Sequence, residues 1–283
     1  MAPQRVMVTV VGLLRDPAFH VAKCTAEALK LKFPSKFADP VIQPLVEFAW
    51  HEYLQEKKKE LRGEVWAYAS SVMCFIDGQL LGDEKELLKW SHREWDYRDF
   101  KPEALYQAIT EDFYSKYLKN SQHVFVYLEI AIEEQPVGRL LFELFSDLCP
   151  RTCENFRALC TGGAKSPRDG RELTYKNSLF HRLVKNGWIQ GGDIITGKGD
   201  GGESIYGPTF EDAEEPAREA KPFPPRGPGT DGAKPGPRRC PAEPQHWQLI
   251  EGTEVLQRLE VVPTYNERPT VACKIVNCGT FEP

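Results

Sequence analysis

An arginine next to a histidine in an apolar run, Phe180-His181-Arg182-Leu183-Val184, stands just before a second run that ends in a glutamine, Trp188-Ile189-Gln190. The pattern reads as two short strands and a tight connection, with Arg182 and Gln190 able to share a face. A guanidinium offers fixed donors and does not titrate, so the pair suits electrostatic work rather than proton transfer. Downstream lies a glycine-rich loop, Gly197-Lys198-Gly199-Asp200-Gly201-Gly202, with Tyr206 and Phe210 beyond it. The loop could be taken for a phosphate cradle, but it lacks the following helix that a dinucleotide-binding turn requires. From sequence alone, an arginine on such a strand is most often a surface or ion-pair residue, which is the plain alternative for Arg182.

The chain has 283 residues, enough for one large domain or two ordinary ones. A formal net charge of -5 and a pI near 5.8 leave no basic footprint, so nucleic acid is not an expected partner. The apolar start from Val6 to Leu14 is short, has no small-residue cleavage site after it, and runs into Arg15-Asp16-Pro17, so it reads as a buried strand and not a signal peptide. No apolar run reaches the roughly 18 residues a membrane span needs. The expectation is a soluble, cytoplasmic protein that spans no membrane. Eight cysteines are scattered without a CxxC pair. Cys149 with Cys153, and Cys273 with Cys278, admit zinc or a disulfide, but buried reduced thiols fit better, and neither metal nor cofactor is assigned.

Residues 1–120 read as strand, helix, helix, strand, strand, helix: Val6 to Val11, Pro17 to Phe33, Leu45 to Leu61, Val65 to Tyr68, Val72 to Ile76 turning at Asp77-Gly78 into Gln79 to Leu81, and a helix capped by Asp83 with Glu86 three residues on. Pro102 to Lys119 adds a last helix, and the polar run from Asn120 to His123 marks a boundary. The alternation is that of an α/β layer. The order, and FIDGQLLGD in particular, resembles the glutaredoxin and thioredoxin-like fold. That family's redox pair belongs where this chain has Pro17-Ala18-Phe19-His20; Cys24 lies further on without a partner thiol, so the domain reads as non-redox.

Beyond residue 124, Val124 to Ile132 and Val137 to Phe145 alternate as antiparallel strands around Glu133-Glu134-Gln135-Pro136, and Pro150 opens a helix that puts Cys153, Phe156 and Cys160 on one face. FHR, IQGGD and GGESIYG, with the stretch from Val124 to Gly162 and the later QLIEGTEVLQRLE and VACKIVNCG, closely resemble the signature of the cyclophilins, the cyclosporin-binding peptidyl-prolyl cis-trans isomerases. The resemblance implies an antiparallel barrel with two capping helices. It also implies Arg182 as the catalytic residue, His181, Trp188, Gln190 and Gly199 in substrate binding, and proline-containing proteins or peptides as partners.

Isomerisation turns an X-Pro amide over a barrier of about 18–20 kcal/mol between forms that differ by about 1 kcal/mol. The twisted amide leaves lone-pair character on the proline nitrogen, and a donor aimed there stabilises the twisted state more than the planar one. No bond to substrate need form.

The chain departs from the family in two places. Gly187-Trp188 replaces a Phe-Met pair after the arginine strand, which opens the proline pocket. Residues 213–247, where the family places three strands, are over a third Pro or Gly and contain no Val, Ile, Leu, Met or Tyr, so an irregular or disordered segment is expected there. The second domain is therefore assigned to 124–212 and 248–283, with an incomplete barrel. A weak or inactive isomerase is expected, with a weakened site for a cyclosporin-type ligand; the alternative is a non-catalytic adaptor for proline-containing segments.

Overall fold

A computed structural model describes residues 5–185, 188–207, 210 and 247–283, the side chains of 64 and 66 excepted. The expectations for Gly187 and for residues 213–246 lie outside the described residues. The chain divides into two compact units, Met1–Gln122 with Leu249–Thr253 and Pro283, and His123–Gln248 with Glu254–Glu282.

In the first unit β1 (Val8–Leu13), α1 (Pro17–Lys32), β2 (Val41–Leu45), α2 (Glu47–Leu61), a 3-10 turn (Gly63–Ala67), β3 (Val72–Ile76), β4 (Gln79–Gly82), α3 (Glu84–Trp95) and α4 (Glu103–Ser121) follow in order. The sheet runs β2-β1-β3-β4, with β1 parallel to β2 and antiparallel to β3. The two-residue period sorts the central strands' side chains into two layers. Val8, Val10, Val72 and Cys74 pack with Phe19, Ala22, Ala26 and Leu29 of α1 and Leu87 of α3, while Val11, Met73 and Phe75 pack with Trp50 of α2 and Val65.

The starts of α1 and α3 follow the capping rules. Asp16 accepts from Ala18 N at 2.8 Å ahead of Pro17, and Asp83 accepts from Lys85 N and Glu86 N at 3.0 and 3.1 Å. The Asp77-Gly78 turn has both residues in the left-handed region, at φ 50° and 82°, as a two-residue hairpin loop requires. Burial raises the Cys24 thiol's pKa, which keeps it protonated at neutral pH.

Two local readings need correction. Strand β2 was not anticipated, because Pro44 and alternately exposed residues hide an edge strand whose hydrogen bonding is all to one side. Val65 to Tyr68 was expected as a strand, but the chain there is a 3-10 turn closed by Tyr68 N donating to Val65 O at 3.1 Å. Arg62 and Gly63 at φ 52° and 65° set that turn off, and it still delivers Val65 to the core.

The remaining elements are β5 (Val124–Ile132), β6 (Gln135–Leu144), α5 (Pro150–Thr161), β7 (Ala164–Lys165), β8 (Glu172–Leu173), β9 (Arg182–Leu183), β10 (Ile189–Gln190), β11 (Trp247–Glu251), α6 (Thr253–Glu260), β12 (Thr264–Tyr265), β13 (Arg268–Pro269) and β14 (Cys273–Phe281). They form a sheet ordered β11-β6-β5-β14 and three two-stranded ribbons, β7 with β8, β9 with β10, and β12 with β13. Among the described residues the sheets are open: the incomplete barrel expected takes the form of an open sheet with ribbons and not of a closed barrel. Among the described residues the arginine and glutamine strands are two residues long and form a ladder with each other alone, β9 adding the single backbone bond from Leu183 N to Glu267 O, and so short a ribbon does not close a sheet on itself. The β5–β6 turn is tighter than expected: Glu133 and Glu134, at φ 49° and 66°, make the loop, and a register shift after Ile130 takes Pro136 into the strand opposite Ala131.

Candidate functional site

Arg182 and Gln190 are direct partners in the β9–β10 register, so their side chains leave the ribbon on the same face. His181 N donates to Gln190 O at 3.0 Å and Val184 N to Trp188 O at 2.8 Å. Leu183 points the other way and is buried, which fixes the orientation of the strand. The Arg182 guanidinium lies 5.4 Å from the centroid of the Trp188 ring, a cation–π distance, and Trp188 is 55% exposed. A cation, an amide and an exposed indole therefore share one surface.

Glu267 completes this surface. Both Nε and an Nη of Arg182 approach its Oε2 at 2.6 Å, and both side chains are about half exposed. The contact is fixed by backbone as well, because Leu183 N donates to Glu267 O at 2.7 Å. Asn266 and Glu267 take φ 49° and 64° in the tight turn between β12 and β13, and this presents the carboxylate to the arginine.

The glycine-rich loop is organised by Asp193, which is 4% exposed. Its Oδ1 accepts from Ile195 N and Thr196 N at 3.0 and 2.9 Å; its Oδ2 accepts from Thr196 Oγ1, Lys198 N, Gly199 N and Gly201 N at 2.6, 3.2, 2.8 and 3.1 Å. Burial opposes ionisation here, but the Thr196 hydroxyl and the amides of Thr196, Gly199 and Ile195 outweigh it and hold the carboxyl well below the usual range. The amides a phosphate would need are thus directed at an internal carboxylate, and the loop is a set of backbone turns.

Gly199, at φ +88°, brings the loop against His181: a Cβ there would lie 2.4 Å from His181 Nε2. His181 Nδ1 is buried without a hydrogen-bond partner among the described residues. A second tie holds the stretch that follows. The buried Glu203 accepts from Ser166 Oγ at 2.9 Å and faces Arg171 at 3.5 Å.

The structure thus brings together Arg182, Trp188 and Gln190 on one face, and His181 and Gly199 against each other. Sequence reasoning missed Asp193 and Glu267. Asp193 carried a signal, an Asp ahead of Thr and Gly residues that can cap a run of turns. Glu267 carried none, being 85 residues from its partner. Among the described residues, no group of three His, Cys, Asp or Glu is placed to hold a metal, and no helix is long and apolar enough to cross a membrane.

Gly199→Ala should destabilise the protein by about 2 kcal/mol, from its left-handed backbone and the displaced imidazole. In a His181→Ala background the steric part should vanish, leaving about 1 kcal/mol. Urea unfolding of the four proteins checks the cycle, and additive costs would refute the contact.

Residues 127–229 match the family described as "Cyclophilin type peptidyl-prolyl cis-trans isomerase/CLD". A human protein named "Probable inactive peptidyl-prolyl cis-trans isomerase-like 6" is 52% identical over 288 residues, covering 98% of this chain and 93% of that protein. The mouse protein of the same name is 50% identical, over 96% of this chain and 90% of its own length. The human "NK-tumor recognition protein" is 39% identical over 167 residues, 55% of this chain and 11% of that protein. The chain therefore belongs to the cyclophilin-type peptidyl-prolyl cis-trans isomerase family.

Proposed function

We propose that this chain binds proline-containing protein segments through the face of Arg182, Trp188 and Gln190, and that its isomerase activity is weak or absent. The observation that carries this reading is the Arg182–Glu267 ion pair. A guanidinium that stabilises a twisted X-Pro amide must be aimed at the proline nitrogen, and its benefit depends on a dry, preorganised setting. Here two of its donors point at a carboxylate and the group is open to water. His181 and Gly199 support the adjoining wall, and a cyclosporin-type ligand would meet the same altered face.

The first unit fits a thioredoxin-like layer, a β1-α1-β2 crossover followed by the β3–β4 hairpin and α3. Pro17-Ala18-Phe19-His20 stands where a redox pair would be, and we read the unit as a non-redox adaptor in a cytoplasmic protein.

The test is a coupled-protease assay of X-Pro isomerisation on the folded chain, beside Arg182→Ala, with peptide binding followed by fluorescence anisotropy. Peptide binding by the wild-type chain is expected, with little acceleration of isomerisation by either protein. Strong acceleration abolished in the variant would overturn the reading of weak activity.

A further inference from the structure

We infer that Glu267 is a built-in competitor for Arg182, so that the ligands best able to use this arginine are proline segments carrying an anionic side chain beside the proline. The inference rests on the binding reading above and adds a ligand class to it. One carboxylate oxygen accepts from two guanidinium nitrogens at 2.6 Å, and the backbone bond from Leu183 N to Glu267 O keeps that carboxylate in place.

A neutral X-Pro segment offers Arg182 only carbonyl dipoles and no countercharge, so it cannot replace the two-donor pairing of opposite charges that the guanidinium already has. It therefore leaves Glu267 where it is and binds without the arginine. A carboxylate or phosphate exchanges one ion pair for another, and the proline beside it can pack on the exposed Trp188 ring. The local charge favours the exchange. In residues 181–185 and 264–269, Arg182, Lys185 and Arg268 are the cations and Glu267 the one carboxylate, with Lys185 exposed two residues past β9 and Arg268 exposed at the start of β13. The pair is half exposed, so the competition is of modest strength and reversible.

The experiment titrates fluorescein-labelled peptides, alike except for Glu, phosphoserine or Ala before the proline, into the full chain, into Glu267→Gln and into Glu134→Gln. Glu134 lies exposed in the β5–β6 turn and controls for net charge. The wild-type chain should bind the Glu and phosphoserine peptides about tenfold tighter than the Ala peptide, and added salt should erode the difference. Glu267→Gln should bind both anionic peptides roughly threefold to fivefold tighter than wild type, and Glu134→Gln should not. A gain of affinity cannot come from damaged folding.

Equal wild-type affinity for the three peptides overturns the inference and leaves the binding reading standing. So does a Glu267→Gln variant that gains nothing over the Glu134 control. If no peptide binds either the wild type or Glu267→Gln, the binding reading fails, and this inference with it. Preference for phosphoserine alone would assign the site to phosphorylated segments; equal preference for Glu would assign it to acidic ones, and either result supports competition at Arg182.

Discussion

Replacing Asp193 with alanine is expected to destabilise the site-bearing unit by about 2–4 kcal/mol, the largest loss from any one polar side chain of this loop. Five backbone amides and the Thr196 hydroxyl converge on its carboxylate. An alanine leaves those donors without an acceptor, in turns where Gly197 and Gly199 already hold φ 70° and 88°. The figure is set below that for a fully buried network because the loop's outer side is open to water. Gly199 loses its anchor in the same substitution, so His181 loses its packing partner.

The pH dependence has a definite sign. The folded-state pKa of Asp193 lies far below the usual value, while the unfolded chain has it at about 3.9. The unfolded state therefore takes up the proton first, and stability is lost as pH falls below about 5. Asp193→Asn carries no titrating group there and is spared that loss. The stability gap between wild type and Asp193→Asn should be full at pH 6 and shrink steadily toward pH 2.5 in urea titrations. A gap that stays constant over that range would show that the charge on Asp193 does not hold the loop.

What the sequence disclosed follows the range over which each feature acts. Arg182 and Gln190 were legible as a pair because both sit on short apolar runs, where the two-residue period decides which side chains share a face. The cap at Asp83 involves neighbours two and three residues away and shows plainly in the chain. Strand β2 was hidden because an edge strand can hold Pro44 and tolerate exposed positions, which removes the usual strand signal. The 3-10 turn at Gly63–Ala67 was hidden because Val65 needs only burial, and a turn can bury it as well as a strand.

Glu267 shows the limit most clearly. Nothing in Tyr265-Asn266-Glu267-Arg268 announces a partner; only the pairing of Leu183 N with Glu267 O, made by the fold, sets the carboxylate on the arginine. Matching Arg182 to the family's arginine could not foresee its ion pair, since that depends on a residue contributed from far along the chain.

Gly12→Ala is expected to cost about 3 kcal/mol in the first unit, although the substitution adds a single methyl group and places no residue in the left-handed region. Gly12 lies in β1 opposite Val72 of β3. A Cβ there would sit 2.7 Å from Ser71 O, 2.9 Å from Val72 Cα and 3.0 Å from Val72 Cβ. Two of those atoms are backbone, and Ser71 O accepts from Leu13 N at 2.8 Å, so the neighbouring strand cannot withdraw without breaking a hydrogen bond to the residue next to the substitution.

Gly78→Ala makes the informative comparison. Gly78 holds φ +82° with nothing within 4 Å of an added Cβ, so its cost is conformational only, about 1 kcal/mol. Hydrogen exchange of the amides in Val8–Leu13 and Val72–Ile76 should show strongly reduced protection in Gly12→Ala and a small change in Gly78→Ala. Equal effects, or the larger effect at Gly78, would mean that the β1–β3 backbones are free to separate and that close approach is not what requires a glycine at position 12.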